Sequence, residues 1–232
     1  MFDYIIVDQW YENPDEIREF AIERIKELPK NGEEDENDLG FGSFPGTRGK
    51  SSIDNLVFNR KKIEEHIEFK IDPEKWIYSS SSDCNNYLEK LEFNFNDFSS
   101  YVKNTDLKVN PFKAVSNGSF QYCTEDSTQW IHTDYETNYA AVIYLTPNPP
   151  EGTGTSFYKN KNTGIEFDDP DITFPKEECV DFGRWEEVKY LENVYNRCII
   201  FNAKRYHSAK NYFGNSIENG RLFQVFFFDL KD

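Results

Sequence analysis

The sequence predicts a β-rich α+β fold, a sandwich or jelly roll of antiparallel strands with flanking helices on its N-terminal side. Three observations predict it. From about residue 110 onward, short apolar and aromatic runs are separated by turn residues, the pattern of successive strands. Before that point the apolar residues of one segment recur with a helical period. The chain has 232 residues, 38% hydrophobic and 17% aromatic, which suits a single domain, 1–232, with a sizeable core. Residues 1–110 are then helical support and a mobile loop, and 111–232 the strand-built core.

Tyr4 to Val7 is a short β-type run. Asn13-Pro14-Asp15-Glu16 reads as a helix start, with Asn13 as cap, Pro14 at the first helical position and Glu16 closing a capping box. Ile17, Phe20, Ala21, Ile25 and Leu28 give that helix one apolar face over about four turns, and Pro29 and Gly32 end it. Residues 31–52, acidic and then glycine-rich, read as a mobile surface loop and a candidate lid. Their Gly-Lys-Ser falls short of a phosphate-binding loop, because the glycine required five residues before Gly49 is Phe44; a basic turn is the better reading. His66 falls in a charged, exposed helix, and Asn117-Gly118-Ser119 is a turn.

The strands expected next are Phe112–Val115, Ser119–Thr124, Gln129–Asp134, Tyr139–Leu145, Thr155–Tyr158, Arg197–Phe201, Tyr206–Asn211 and Leu222–Phe228. Residues 160–195, rich in acids and prolines, read as a long insertion between strands.

Composition excludes several classes of function. The net charge of −16 argues against nucleic acid as a partner. No stretch reaches the roughly 18 apolar residues of a membrane helix, and the first residues lack the basic region of a secretory signal. Cys84, Cys123, Cys179 and Cys198 show no CxxC spacing, which points to reduced thiols and a cytoplasmic setting.

The chemistry concentrates on two of the three histidines. His132 and Asp134 are two apart on a predicted strand, so both face the same side and can reach one ion. His207 lies in another predicted strand. Two histidines and a carboxylate on one face of a metal form the facial triad of non-haem Fe(II) centres. Arg221, fourteen residues after His207, shares a strand face with Phe223 and Val225, so it points into the barrel. A guanidinium buried there needs a partner, and a dicarboxylate co-substrate fits it. Trp130, Tyr135 and Tyr139 could line the mouth, and Cys123 is read as packing on the face opposite Tyr122.

On these residues the chain resembles the Fe(II)/2-oxoglutarate-dependent dioxygenases, closest to their prolyl-hydroxylase-like branch. The resemblance covers residues 119–158 and 197–229. It rests on Tyr122 ten residues before His132, on Ile143-Tyr144-Leu145, on the glycine-containing turn Gly152 to Phe157, and on His207 and Arg221. It implies a double-stranded β-helix with iron on His132, Asp134 and His207. It also implies Arg221, Tyr122 and Tyr144 around 2-oxoglutarate, and hydroxylation with O2 that yields succinate and CO2. Ascorbate is then a candidate stimulant. A zinc hydrolase or isomerase on the same three ligands, or a non-catalytic jelly-roll binding module, stay open as alternatives. The substrate is a small molecule or a peptide, and the acidic surface slightly favours a neutral or basic one. Oligomeric state is not readable from the chain.

Overall fold

Two antiparallel sheets packed face to face hold the centre of the protein. The computed structural model describes residues 2–26, 46–49, 51, 53–72, 76, 117–134 and 137–231. The strands are β1 (Tyr4–Val7), β2 (Thr47–Gly49), β3 (Phe120–Cys123), β4 (Tyr139–Tyr144), β5 (Gly154–Asn160), β6 (Trp185–Glu192), β7 (Cys198–Asn202), β8 (His207–Lys210) and β9 (Arg221–Phe228). The helices are α1 (Pro14–Lys26), α2 (Ile53–Ile67) and the single turn α3 (Lys176–Cys179). The larger sheet runs β1-β7-β4-β9-β3-β2 and the smaller β6-β5-β8, with every pairing antiparallel. Among the described residues no helix is long and apolar enough to cross a membrane.

The large sheet is covered on both sides, which explains why β4, Tyr-Ala-Ala-Val-Ile-Tyr, is apolar at nearly every position and buried throughout. Alternation divides its residues. Tyr139, Ala141 and Ile143 face the helices, joining Ala21 and Ile25 of α1, Leu56, Ile63 and Ile67 of α2, and Trp76, which stacks on Phe226 at 5.2 Å. Ala140, Val142 and Tyr144 face inward, where Phe201, Phe223 and Val225 of the same sheet meet Phe157 and Leu191 of the small sheet. The inward face is the one that reaches the functional side chains.

The structure departs from the sequence reading in four places. Residues 160–195 are not simply an insertion, because 185–192 form β6 against β5. Its sequence, Trp-Glu-Glu-Val-Lys-Tyr-Leu-Glu, reads as loop because an edge strand leaves one face in water and can carry charge there. Around it, Trp185 packs with Ile131, Tyr158 and Tyr206 in a separate aromatic core. Within residues 31–52, Thr47–Gly49 is a strand at the sheet edge, paired with β3. Gln129–Asp134 is not a strand but an irregular segment with one isolated bridge, at His132. Tyr139 packs between Phe2 and Phe228 on the helix side, away from any mouth. The expected strand Phe112–Val115, the helix stop at Pro29 and Gly32, Leu28, Phe44, Cys84, Tyr135 and most of the candidate lid lie outside the described residues.

Helix α1 fixes the edge strand through one contact that admits no side chain. A Cβ on Gly49 would stand 2.8 Å from both the backbone nitrogen and a side-chain carbon of Ile25. Gly49→Val is therefore expected to destabilise the fold by about 1–3 kcal/mol, the range for overpacking a closed contact. Urea unfolding midpoints of variant and wild type measure it; equal midpoints would mean that β2 and α1 do not pack this way.

Candidate metal centre

His132 and His207 come from distant parts of the chain and are joined back to back. Each backbone N–H donates to the other's carbonyl, at 2.9 Å from His132 and 2.8 Å from His207. Asp134 is tied to the same stretch, its N–H donating to the Ala203 carbonyl at 2.9 Å. The segment 132–134 thus gains from backbone bonds to 203–207 the rigidity that a regular strand would have supplied.

The side chains converge. One ligand atom from each of His132, Asp134 and His207 can be chosen so that all three lie within 4.8 Å of one another. His207 Nε2 is 3.3 Å from Asp134 Oδ2, and His132 Nε2 is 3.9 Å from Asp134 Oδ1. The two imidazole centroids are 4.5 Å apart. Bonds of about 2 Å to one ion need donors separated by about 3–4 Å, so the spacing fits a divalent metal.

The tautomers fit it too. His132 Nδ1 lies 3.2 Å from the Trp130 carbonyl, and His207 Nδ1 lies 2.8 Å from the Arg205 carbonyl. A carbonyl only accepts, so each Nδ1 carries a proton, and each Nε2, on the Asp134 side, is the nitrogen left to bind a metal. Burial, then the nearby His207, pushes His132 down to about 4 against the attraction of Asp134. Burial opposes ionisation of Asp134, but His207, by charge and hydrogen bond, then His132 and Arg48 outweigh it and hold the carboxyl below its usual range. A neutral imidazole and an ionised carboxylate are the forms that bind metal. The His132 side chain is 38% exposed against 8% for His207, so the site opens on the His132 side, where Trp130 stands 5.9 Å from the imidazole.

Arg221, the first residue of β9, is buried on the inward face. Its guanidinium lies 4.9 Å from the Phe223 ring, 5.5 Å from Tyr144 and 5.7 Å from Tyr212. Its Nη2 donates to Thr155 Oγ1 at 3.3 Å, and Thr155 shares a 2.9 Å hydrogen bond with the Tyr144 hydroxyl. The Nε has no hydrogen-bond partner, and no ion pair among the described residues includes Arg221. A buried cation surrounded by hydroxyls and rings, with an unmatched donor, is a seat for an anion.

Register corrects the place of Tyr122. Cys123 pairs with Arg221 and Tyr122 with Leu222, and paired residues share a face. Tyr122 therefore packs with Leu222 on the helix side, away from Arg221, and Cys123 is the inward residue. The position expected for Tyr122 beside the arginine is taken instead by Tyr212, whose phenol burial pushes well up.

Besides Tyr212, three residues of the site are given no role by the sequence reading. Thr155 is one, Arg205 the second. Arg205 Nη1 bonds both oxygens of Asp3 at 2.7 Å and its Nη2 reaches Glu166 at 3.1 Å. Its own carbonyl then orients His207. The only sequence signal for it is its place two residues before that histidine. The third is Arg48 of β2, whose Nε donates to Gln121 Oε1 at 2.8 Å. Burial draws its guanidinium down to about 10, against the attraction of Asp134 and then Cys123.

No family model and no curated protein matches the chain. Among solved structures it is similar to a prolyl-4-hydroxylase of Pseudomonas putida, at 12% identity over 99% of this chain and 93% of that one, TM-score 0.39. It is similar to a Trichoplax adhaerens prolyl hydroxylase in complex with a hypoxia inducible factor peptide fragment, at 9% identity over 97% and 82%, TM-score 0.40. HygX from Streptomyces hygroscopicus, with nickel and 2-oxoglutarate bound, is similar at 10% identity over 96% and 81%, TM-score 0.41.

The charge state of His132 gives the metal-free protein a pH signature. Unfolded, the imidazole takes up its proton near 6.5; folded, it resists until about 4. Across that window the unfolded chain binds more protons, so stability falls as pH is lowered from about 6.5 to about 4. Replacing the imidazole in His132→Asn is expected to flatten this part of the profile. Urea midpoints measured in chelator between pH 7 and 4 check it, and identical slopes for both proteins would contradict it.

Proposed function

We propose that this chain is one oxygenase domain, a double-stranded β-helix acting as an Fe(II)- and 2-oxoglutarate-dependent dioxygenase that hydroxylates a peptide or small-molecule substrate. One observation carries the reading: three convergent metal donors share an interior with a buried arginine that has an unmatched donor and no carboxylate among the described residues. A hydrolytic metal site would use the triad but leave Arg221 without work.

His132, Asp134 and His207 would hold the iron, leaving the open side next to His132 for small ligands. The Trp130 and Arg205 carbonyls keep both imidazoles in the tautomer that donates through Nε2. Arg221 would take the distal carboxylate of 2-oxoglutarate with its planar fork. Thr155 and Tyr144 orient that fork and add hydroxyls beside the same carboxylate. Phe157, Phe201 and Phe223 exclude water from the interior between these two ends. When bound, iron and 2-oxoglutarate supply the oxidising chemistry with O2, releasing succinate and CO2.

The test is the affinity for 2-oxoglutarate under nitrogen with Fe(II) present. Arg221→Gln is expected to weaken it by on the order of 3 kcal/mol, more than a hundredfold, the scale for losing one member of a desolvated charge pair. Arg221→Lys recovers only part, because an ammonium cannot reproduce two parallel bonds. Metal binding itself should stay intact in both variants. Equal 2-oxoglutarate affinities in all three proteins would remove Arg221 from the site.

A further inference from the structure

We propose that residues 166–179, in the acidic stretch between β5 and β6, are a positioning element of the metal centre and aim both of its histidines. The proposal rests on the metal reading of His132, Asp134 and His207 and extends it to the residues that hold those ligands in place.

A trans peptide unit carries its carbonyl on one side and its N–H on the other, pointing in opposite directions. The unit between Arg205 and Tyr206 uses both ends. Its carbonyl lies 2.8 Å from His207 Nδ1, and its N–H donates to the Glu166 carbonyl at 2.8 Å. The unit between Trp130 and Ile131 repeats the arrangement. Its carbonyl lies 3.2 Å from His132 Nδ1, and its N–H donates to the Cys179 carbonyl at 2.9 Å. Each imidazole therefore hangs on a peptide plane whose far side is fastened to the same short stretch of chain. Such a plane cannot turn without giving up a hydrogen bond.

The stretch is itself fastened at both ends. At the first, the Glu166 carboxylate meets Arg205 Nη2 at 3.1 Å, so Glu166 holds the 205–206 region by side chain as well as by backbone. The Asp168 N–H adds a bond to the Lys204 carbonyl at 2.6 Å. At the second, Glu178 accepts from Asn160 Nδ2 at 2.7 Å through its carboxylate and from Trp185 Nε1 at 3.0 Å through its carbonyl. The Val180 N–H closes the turn on the Lys176 carbonyl at 3.1 Å, which leaves the Cys179 carbonyl facing Ile131. Residues 129–134 form no strand, so the Trp130 carbonyl takes its orientation from this support.

A hydrogen bond to the non-ligating nitrogen of a metal-bound imidazole fixes the ring and raises its basicity, and losing such a partner costs about 10–100-fold in metal affinity. Here the immediate partners are backbone carbonyls, which no side-chain substitution deletes. The side chains that hold the stretch can be deleted, one for each arm. Glu166 serves His207 and Glu178 serves His132.

The test uses protein carrying heavy-nitrogen-labelled histidine and loaded with Zn(II), a diamagnetic ion that takes the two Nε2 atoms. The chain has three histidines, so each Nδ1–H is resolved by magnetic resonance and its exchange with water measured. Glu166→Ala is expected to speed exchange at His207 by about tenfold and leave His132 unchanged; Glu178→Ala should do the reverse. Zn(II) affinity, measured against a competing chelator, should fall by about tenfold in each. Glu166→Gln and Glu178→Gln, which keep an acceptor on the same stem, should recover part of both losses. Glu186→Ala removes the 3.1 Å ion pair with Lys159 on the same small sheet and should move neither readout. Exchange and affinity unchanged in both alanine variants overturn the proposal. So does equal loosening of the two histidines by either variant, because a general loss of structure would act on both. If an alanine variant does not fold, the glutamine variant of that arm decides by the same crossed pattern. Failure of the wild type to bind Zn(II) is a separate outcome, and it overturns the metal reading together with this proposal.

Discussion

The pair of backbone hydrogen bonds between His132 and His207 is the constraint on which the site depends. A facial triad needs three donors within a few ångströms, yet the chain supplies them from an irregular segment and from a strand of the small sheet. Cross-bridging the two histidines through their own backbones sets the imidazoles 4.5 Å apart before any metal arrives. Each ring is then locked by the carbonyl two residues upstream, Trp130 for one and Arg205 for the other. The same local device, used twice, sets both tautomers and aims both Nε2 atoms toward Asp134.

What holds the Arg205 carbonyl in place is the acidic stretch that looks least structured in the sequence. Glu166 from that stretch and Asp3 from the N-terminus grip the Arg205 guanidinium, and Phe157 and Phe167 lie against it at 4.8 and 5.5 Å. Strand β6 and the aromatic group of Ile131, Tyr158, Trp185 and Tyr206 close the same region. A charge-rich segment can be structural when its apolar minority points inward and its acids pair with one buried cation. The geometry of His207 is in this sense maintained by residues remote from any ligand.

The large sheet separates two kinds of work by side-chain parity. Odd positions of β4 bind the helices and even positions line the interior, with the reverse assignment on neighbouring strands set by register. Parity puts Arg221, Cys123, Gln121 and Arg48 on the interior face and Tyr122 and Leu222 on the helix face. A shift of one residue would exchange these sets, which is why register decides the site more strongly than residue type does.

The sequence by itself determined the β-rich class, the α1 helix, most strand positions and the candidate donors His132, Asp134 and His207, because apolar periodicity and the scarcity of histidine are local signals. It also placed Arg221 inward, since alternation with Phe223 and Val225 is written along one strand. It misplaced Tyr122, because the face of a short strand depends on which residue of its partner it meets. It passed over β6, whose charges belong to the solvent face of an edge, and over Arg48, Thr155, Arg205 and Tyr212. Only the tertiary structure decided those, for a physical reason: each acts through a neighbour far away in the chain, and a contact of that kind has no period, spacing or composition to announce it.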